Sequence, residues 1–143
     1  MKKKTLAKLK KTLVEVSHTY IRERDSFSKE HIGGHCFDCG KITYGQQFQC
    51  GHWIPDGAGG ALLRYHPHNM HGQSGGCNMA YSQERVKIDY TFAMIKKYGK
   101  REVEQLRQLR NKTIQADTVF FETLIKLYTK GRERAIVKYL ESL

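Results

Sequence analysis

Four cysteines stand in the middle of the chain, Cys36-Phe-Asp-Cys39, then Cys50, then Cys77, separated by two, ten and 26 residues. Two thiolates two residues apart can close on one ion across a tight turn, and Gly40 directly after Cys39 suits that turn. In a reducing compartment, thiols gathered in a glycine-rich stretch bind zinc rather than pair as disulfides, and the metal supplies folding free energy that such a stretch lacks. Cys36 and Cys39 are the expected centre of the site, with Cys77 as third ligand and Cys50 as fourth. His35 and His71 are the alternatives for that fourth position. The competing reading is a set of buried cysteines without metal.

A second set interleaves with the first: His52 within Cys50-Gly-His-Trp, then Asn69, then Asn78 directly after Cys77. Phosphodiester hydrolysis needs a base for water, a cation on the scissile phosphate, and a scaffold that holds both. A neutral imidazole near its own pKa suits the base, so His52 is the catalytic candidate. Asn78 offers an amide oxygen to Mg²⁺ or Mn²⁺, and magnesium keeps most of its waters and needs few protein ligands. Asn69 has the plain alternative of capping a turn. Arg64 can clamp phosphate with its planar fork or pair with Asp56 or Asp38. His71 stays open between zinc ligand, ligand of the divalent ion, and partner of a ligand. His66 and His68, flanking Pro67, read as exposed loop residues.

These residues lie in an electrically neutral segment between basic flanks. The chain has 143 residues with 25 Lys and Arg against 14 Asp and Glu, a formal charge of +11. Residues 1–30 carry +5, residues 31–78 carry 0 and residues 79–143 carry +6. The middle also holds all 4 Cys and 11 of the 13 Gly, the composition of a loop-rich site rather than an apolar core. An excess of this sign is the footprint of a nucleic-acid binder, with the lysines and arginines of the first helix and Arg85, Lys87, Lys96, Lys97, Lys100, Arg101, Arg107 and Arg110 as phosphate contacts. No apolar run is long enough to span a bilayer, no signal core follows the opening lysines, and a cytoplasmic protein without membrane partners is expected.

The elements that must position the site follow from periodicity. Leu6, Leu9, Leu13, Val16 and Tyr20 place one apolar stripe on a helix ending near Asp25. Ile42–Tyr44 and the stretch from Gln47 to Ile54 read as strands, Pro55–Gly60 as a flexible loop, and Leu62-Leu-Arg-Tyr65 as the strand that pairs with the stretch around His52. Helical pattern returns after Asn78, stops at Gly99, resumes over 100–111, and starts again near Asp117 with a break at Gly131. The length fits one compact unit. The expected organisation is an α+β fold: a basic N-terminal helix (1–30), a zinc-stabilised core (31–99) and a C-terminal helical extension (100–143).

Cys36-x2-Cys39-Gly40, Gly51-His52-Trp53, Leu63-Arg64-Tyr65, Asn69-Met-His71-Gly-Gln73, Cys77-Asn78 and Tyr90 with Tyr98-Gly99, in this order, resemble the phage NinG (Rap) recombination endonucleases. That family is grouped with the HNH or ββα-metal (His-Me finger) nucleases. The resemblance implies a β-hairpin and helix gripping a divalent ion beside a structural zinc. It implies that His52 is the general base, that Asn69 braces the hairpin and that Asn78 touches the catalytic ion. Gly51 stands where most HNH nucleases have a metal-binding aspartate. Ser74 stands where the family pattern has a cysteine, so Cys50 is expected to take over as zinc ligand. Cys50 and His52 are two residues apart, however, and would face the same side of a regular strand, crowding the two sites unless a bulge intervenes. The activity implied is Mg- or Mn-dependent cleavage of branched recombination intermediates, Holliday junctions or D-loops, by a phage protein in a bacterial host. Paired cuts across a junction suggest a homodimer. The alternative function is a non-catalytic zinc-ribbon DNA-binding protein, which has no need of His52.

Overall fold

The structure is a computed structural model that describes residues 4–143, apart from the side chains of residues 56–59. The long helix α1 (Leu6–Asp25) is capped by the Thr5 hydroxyl, which accepts from Lys8 N. It buries Leu9, Leu13, Ser17 and Ile21, one stripe at helical spacing, while Lys8, Lys10 and Lys11 stay exposed. Leu6 and Tyr20 lie at the edge of this stripe rather than in it. Two small antiparallel sheets follow. β1 (Gly33–His35) pairs with β2 (Ile42–Tyr44), and β3 (Phe48–His52) pairs with β4 (Met70–Ser74) in the register Cys50↔Gly72, Gly51↔His71, His52↔Met70.

The partner of β3 differs from expectation. Residues 56–64, expected as loop and strand, form the helix α2 (Asp56–Arg64), interrupted at Gly60, whose φ of 71° and ψ of 178° no helical residue adopts. Leu62 and Leu63 at its end are both buried, and they enter different apolar clusters. A helix can aim two adjacent side chains into separate cores on one side of the hairpin. The strand that β3 does pair with, Met-His-Gly-Gln-Ser, has no strand-like alternation, and all five of its residues are buried. A short helix α3 (Gly75–Met79) follows β4 directly, capped by the Ser74 hydroxyl, which accepts from Cys77 N.

The remaining chain is helical: α4 (Glu84–Tyr98), α5 (Lys100–Gln108), α6 (Thr118–Thr129) and α7 (Glu133–Glu141). The expected breaks fall where glycine adopts positive φ, 85° at Gly99 and 64° at Gly131, and Asp117 caps α6 through Phe120 N. The larger apolar cluster joins α1, β3, α2, α6 and α7 through residues such as Leu13, Ile21, Leu62, Phe121, Leu124 and Ile136. A second joins Trp53 and Leu63 to Tyr90, Met94, Val103 and Leu106. The segments 1–30, 31–99 and 100–143 thus share one core, and the basic flanks are part of the scaffold under the hairpin.

The end of α1 fastens that hairpin. Arg22 donates to the carbonyls of Phe48 and Gly45, both at 2.8 Å. Arg24 donates to Asp25, Glu133 and the carbonyls of Pro67 and Met70, and Asp25 accepts from Gly72 N at 2.7 Å. Buried carbonyls at a sheet edge need donors, and these two guanidiniums supply them. They are therefore committed to the fold. Among the described residues no helix is long and apolar enough to cross a membrane.

Candidate metal and catalytic site

Cys36 and Cys39 lie on the turn between β1 and β2, closed by Cys36 N to Lys41 O and Gly40 N to Cys36 O, with Gly40 at φ 80°. Cys77 comes from α3. The ligand atoms of Cys36, Asp38, Cys39 and Cys77 all lie within 4.8 Å of one another. Three thiols and a carboxylate at this spacing are a donor set that could hold a metal such as zinc. Burial pushes the Cys36 thiol up, and burial with the neighbouring acidic groups pushes Cys77 up to about 12. Cys39 moves the other way: despite burial, hydrogen bonds from Lys41 N, Cys77 and Cys36 favour its thiolate.

Cys50 is not part of this cluster, which corrects its assignment as a zinc ligand. It sits on β3, 8% exposed, in the larger apolar cluster. β3 is regular, so Cys50 and His52 share a face as expected, and it is Asp38 rather than Cys50 that offers a fourth donor atom beside the three clustered thiols. His35 is outside the cluster too. Its Nδ1 lies 3.0 Å from Gly40 O.

His71 likewise lies outside the cysteine cluster, which corrects its reading as a zinc ligand. It is fully buried, stacked on Phe37 at 3.8 Å, and both ring nitrogens are engaged. Tyr90 donates its hydroxyl to Gly51 O at 2.8 Å, so its oxygen accepts from His71 Nδ1 at 3.2 Å, and His71 Nε2 accepts from the Tyr98 hydroxyl at 2.7 Å. This relay needs a neutral imidazole, and burial, with Arg24 and Lys97 nearby, holds its pKa well below 6.5. Its end point is the backbone carbonyl of the residue preceding His52.

His66 was expected in an exposed loop and is buried. Its Nδ1 accepts from His68 N at 3.1 Å, Nε2 has no hydrogen-bond partner among the described residues, and burial pushes its pKa to about 3. A base whose folded pKa lies below its unfolded value contributes stability that is complete above about pH 6.5. That contribution is lost as the pH falls toward 3, at up to about 1.4 kcal/mol per pH unit for each such group. The C2-proton resonances of His66 and His71 are expected to stay at their neutral-imidazole positions down to pH 4.5 while stability declines. Titration of either near pH 6.5 in folded protein would contradict this.

His52 closes β3. Its Nε2 lies 2.9 Å from Arg64 O, an atom that can only accept, so the ring proton is on Nε2 and the basic lone pair on Nδ1. His18 of α1 stands beside it, ring centroids 5.7 Å apart. Sequence reasoning missed His18, which lies 34 positions away on a helix and carries no local motif. Arg64 thus bears on His52 through its backbone, while its guanidinium lies 5.5 Å from the Tyr65 ring. The Asp56 side chain falls outside the described residues.

Asn69 is fully buried and ties the chain after His52 to the rest. Its Oδ1 accepts from Ile54 N at 2.9 Å, and its Nδ2 donates to the carbonyls of Ile54 and Leu63. Trp53 N reaches Asn69 O at 2.9 Å. Asn78 lies on α3 with Nδ2 donating to Gln49 Oε1, and its Oδ1 is 3.1 Å from where a Cβ on Gly51 would be. A surface cleft of ≈ 460 Å³ runs from Asn78 past Gln49 and Cys50 to His18 and Arg22. Of the expected phosphate contacts, Arg85, Lys87, Lys96, Lys97, Lys100, Arg101 and Arg110 are exposed on α4, α5 and the turn after it, while Arg107 pairs with Glu104 at 2.6 Å.

The architecture and the cysteine cluster define a mixed α+β protein with a candidate zinc centre buttressing a histidine-bearing hairpin. The chain belongs to the family described as Bacteriophage Lambda NinG protein, whose model matches residues 1–138. Comparison with curated proteins and with solved structures finds no match.

Proposed function

We propose that the protein is a Mg²⁺- or Mn²⁺-dependent DNA endonuclease of the HNH, ββα-metal kind that acts on branched recombination intermediates. The observation that carries this reading is at the end of β3. His52 has its tautomer set by Arg64 O, and the Asn78 amide oxygen lies against the residue immediately before it. In this reading His52 Nδ1 takes the proton of the attacking water, with the imidazole held in place by the Arg64 carbonyl. Asn69 fixes the chain beyond His52, and the Tyr98–His71–Tyr90 relay fixes Gly51, so both neighbours of the base are immobilised through buried hydrogen bonds. A divalent ion held by Asn78 would supply positive charge to the scissile phosphate and the leaving oxygen. Exposed Lys and Arg on α4 and α5 and the lysines of α1 supply sequence-independent attraction to phosphates. The NinG family membership supports a role in phage recombination, and with it a branched substrate, a homodimeric enzyme and a cytoplasmic site of action in the host.

The test is incubation of the zinc-loaded protein with a four-way junction, a D-loop and linear duplex, with Mg²⁺, with Mn²⁺ and with neither. Metal-dependent nicking that favours the branched substrates is the expected result. Tight, salt-sensitive binding without strand cleavage under any of these conditions would favour the alternative, a zinc-ribbon DNA-binding protein.

A further inference from the structure

Two chains of side-chain amides end at Gly51. In the first, the Gln46 carbonyl can only accept, so Gln49 presents Nε2 to it at 3.1 Å, and its Oε1 then accepts from Asn78 Nδ2 at 2.9 Å. That orientation leaves Asn78 Oδ1 on the side of Gly51. In the second, the Asp38 carboxylate can only accept, so Gln73 donates Nε2 to Asp38 Oδ1 at 2.8 Å. Gln73 Oε1 is thereby turned to the same place, where a Cβ on residue 51 would collide with it. Two amide oxygens thus lie within 3.1 Å of the place a Cβ on residue 51 would take, and only glycine at position 51 leaves room for the Gln73 oxygen that stands there.

Gln73 is fully buried, and its Oε1 has no hydrogen-bond partner among the described residues. A buried amide oxygen without a donor is unfavourable, and a neighbouring amide oxygen makes the local potential more negative still. Both costs reverse when a cation is bound. Neutral oxygens suit a hard divalent ion that keeps most of its waters.

We propose that Gln73 is a second protein oxygen ligand for the divalent ion, paired with Asn78 across Gly51. Asp38 ties this ligand to the cysteine cluster, so the zinc centre orients one of the two oxygens. The inference rests on the hydrolytic reading for the ion's use, but the ion's binding is measurable without DNA.

Mn²⁺ titrated into ¹⁵N-labelled, zinc-loaded protein is expected to broaden the side-chain amide resonances of Gln73 and Asn78 before other resonances. Broadening that begins elsewhere and spares Gln73 would overturn the assignment, as would no Mn²⁺ binding at all. Gln73→Leu is expected to weaken Mn²⁺ binding by about tenfold or more with zinc content unchanged. Combining Gly51→Asp with Gln73→Ala should restore it, since a carboxylate from position 51 then occupies the vacated volume. Wild-type Mn²⁺ affinity in folded Gln73→Leu would refute the proposal. His52→Ala should bind Mn²⁺ normally. Protein that binds Mn²⁺ through Gln73 yet cuts no DNA would refute the hydrolytic reading and leave this ligand assignment standing.

Discussion

His52→Ala is expected to lower the rate of junction cleavage by about 10²–10⁴ while leaving the affinity for the same junction unchanged. The size follows from the proposed role: removing a general base forfeits proton abstraction in the transition state, whereas the phosphate contacts proposed to set affinity lie on α1, α4 and α5. The Arg64 carbonyl at 2.9 Å makes the prediction specific to one ring nitrogen. An asparagine or glutamine at position 52 could donate to that carbonyl but could not take a proton at neutral pH, so those variants should be as inactive as alanine. Added imidazole should partly rescue alanine and not glutamine, because only the smaller side chain leaves space for the ring. His18→Ala gives a further comparison. His18 neighbours the His52 ring but is not assigned the proton transfer, so its loss should cost less than loss of His52. Cleavage by His52→Ala at the wild-type rate would remove the histidine from the chemistry.

The helices were legible where a period and a boundary coincide. α1 shows a stripe from Leu9 to Ile21, α6 starts on the Asp117 cap, and Gly99 and Gly131 mark breaks through positive φ. The hairpin's second strand was not legible, because its existence depends on tertiary partners. β4 has no strand-like pattern and is held by Asp25 of α1 at Gly72 N and by Phe37 N at Gly72 O. The run Leu62-Leu63-Arg64-Tyr65 is short and apolar, which fits strand or helix equally, and burial into two clusters selects helix. In the site, the two-residue cysteine spacing identified Cys36 and Cys39, since local geometry alone brings them together. Spacing says nothing about which side of a sheet a distant cysteine faces, so it misplaced Cys50. Asp38 lies between the two knuckle cysteines, where its type and position read only as an ion-pair partner. Gln73 was visible as a motif residue, but its role depends on what Asp38 and Gly51 place around it.

Cys36→Ser is expected to abolish zinc binding and to unfold residues 33–47 together with α3. β1 and β2 are three residues each, and Ile42 and Tyr44 are exposed, so this pair buries little apolar surface of its own. A two-stranded hairpin in water is marginal at best, and α3, at five residues, is too short to persist alone. What joins them is the cluster of Cys36, Asp38, Cys39 and Cys77. An apparent zinc affinity of roughly 10–16 kcal/mol would exceed anything these short elements supply, so a metal held there would govern their folding. Because the Cys36 and Cys77 thiols are raised, zinc uptake must displace their protons, and affinity should fall as the pH is lowered. Cys50→Ala is the counterpart. It removes a thiol from the apolar cluster under α1 and should cost about 1 kcal/mol of stability with zinc retained. Metal analysis should find one zinc per chain in the wild type and in Cys50→Ala and little in Cys36→Ser, with the amide resonances of residues 33–47 and 75–79 collapsing only in the last. Zinc lost from Cys50→Ala and kept by Cys36→Ser would reverse the assignment, and with it the route by which Asp38 holds Gln73 over Gly51.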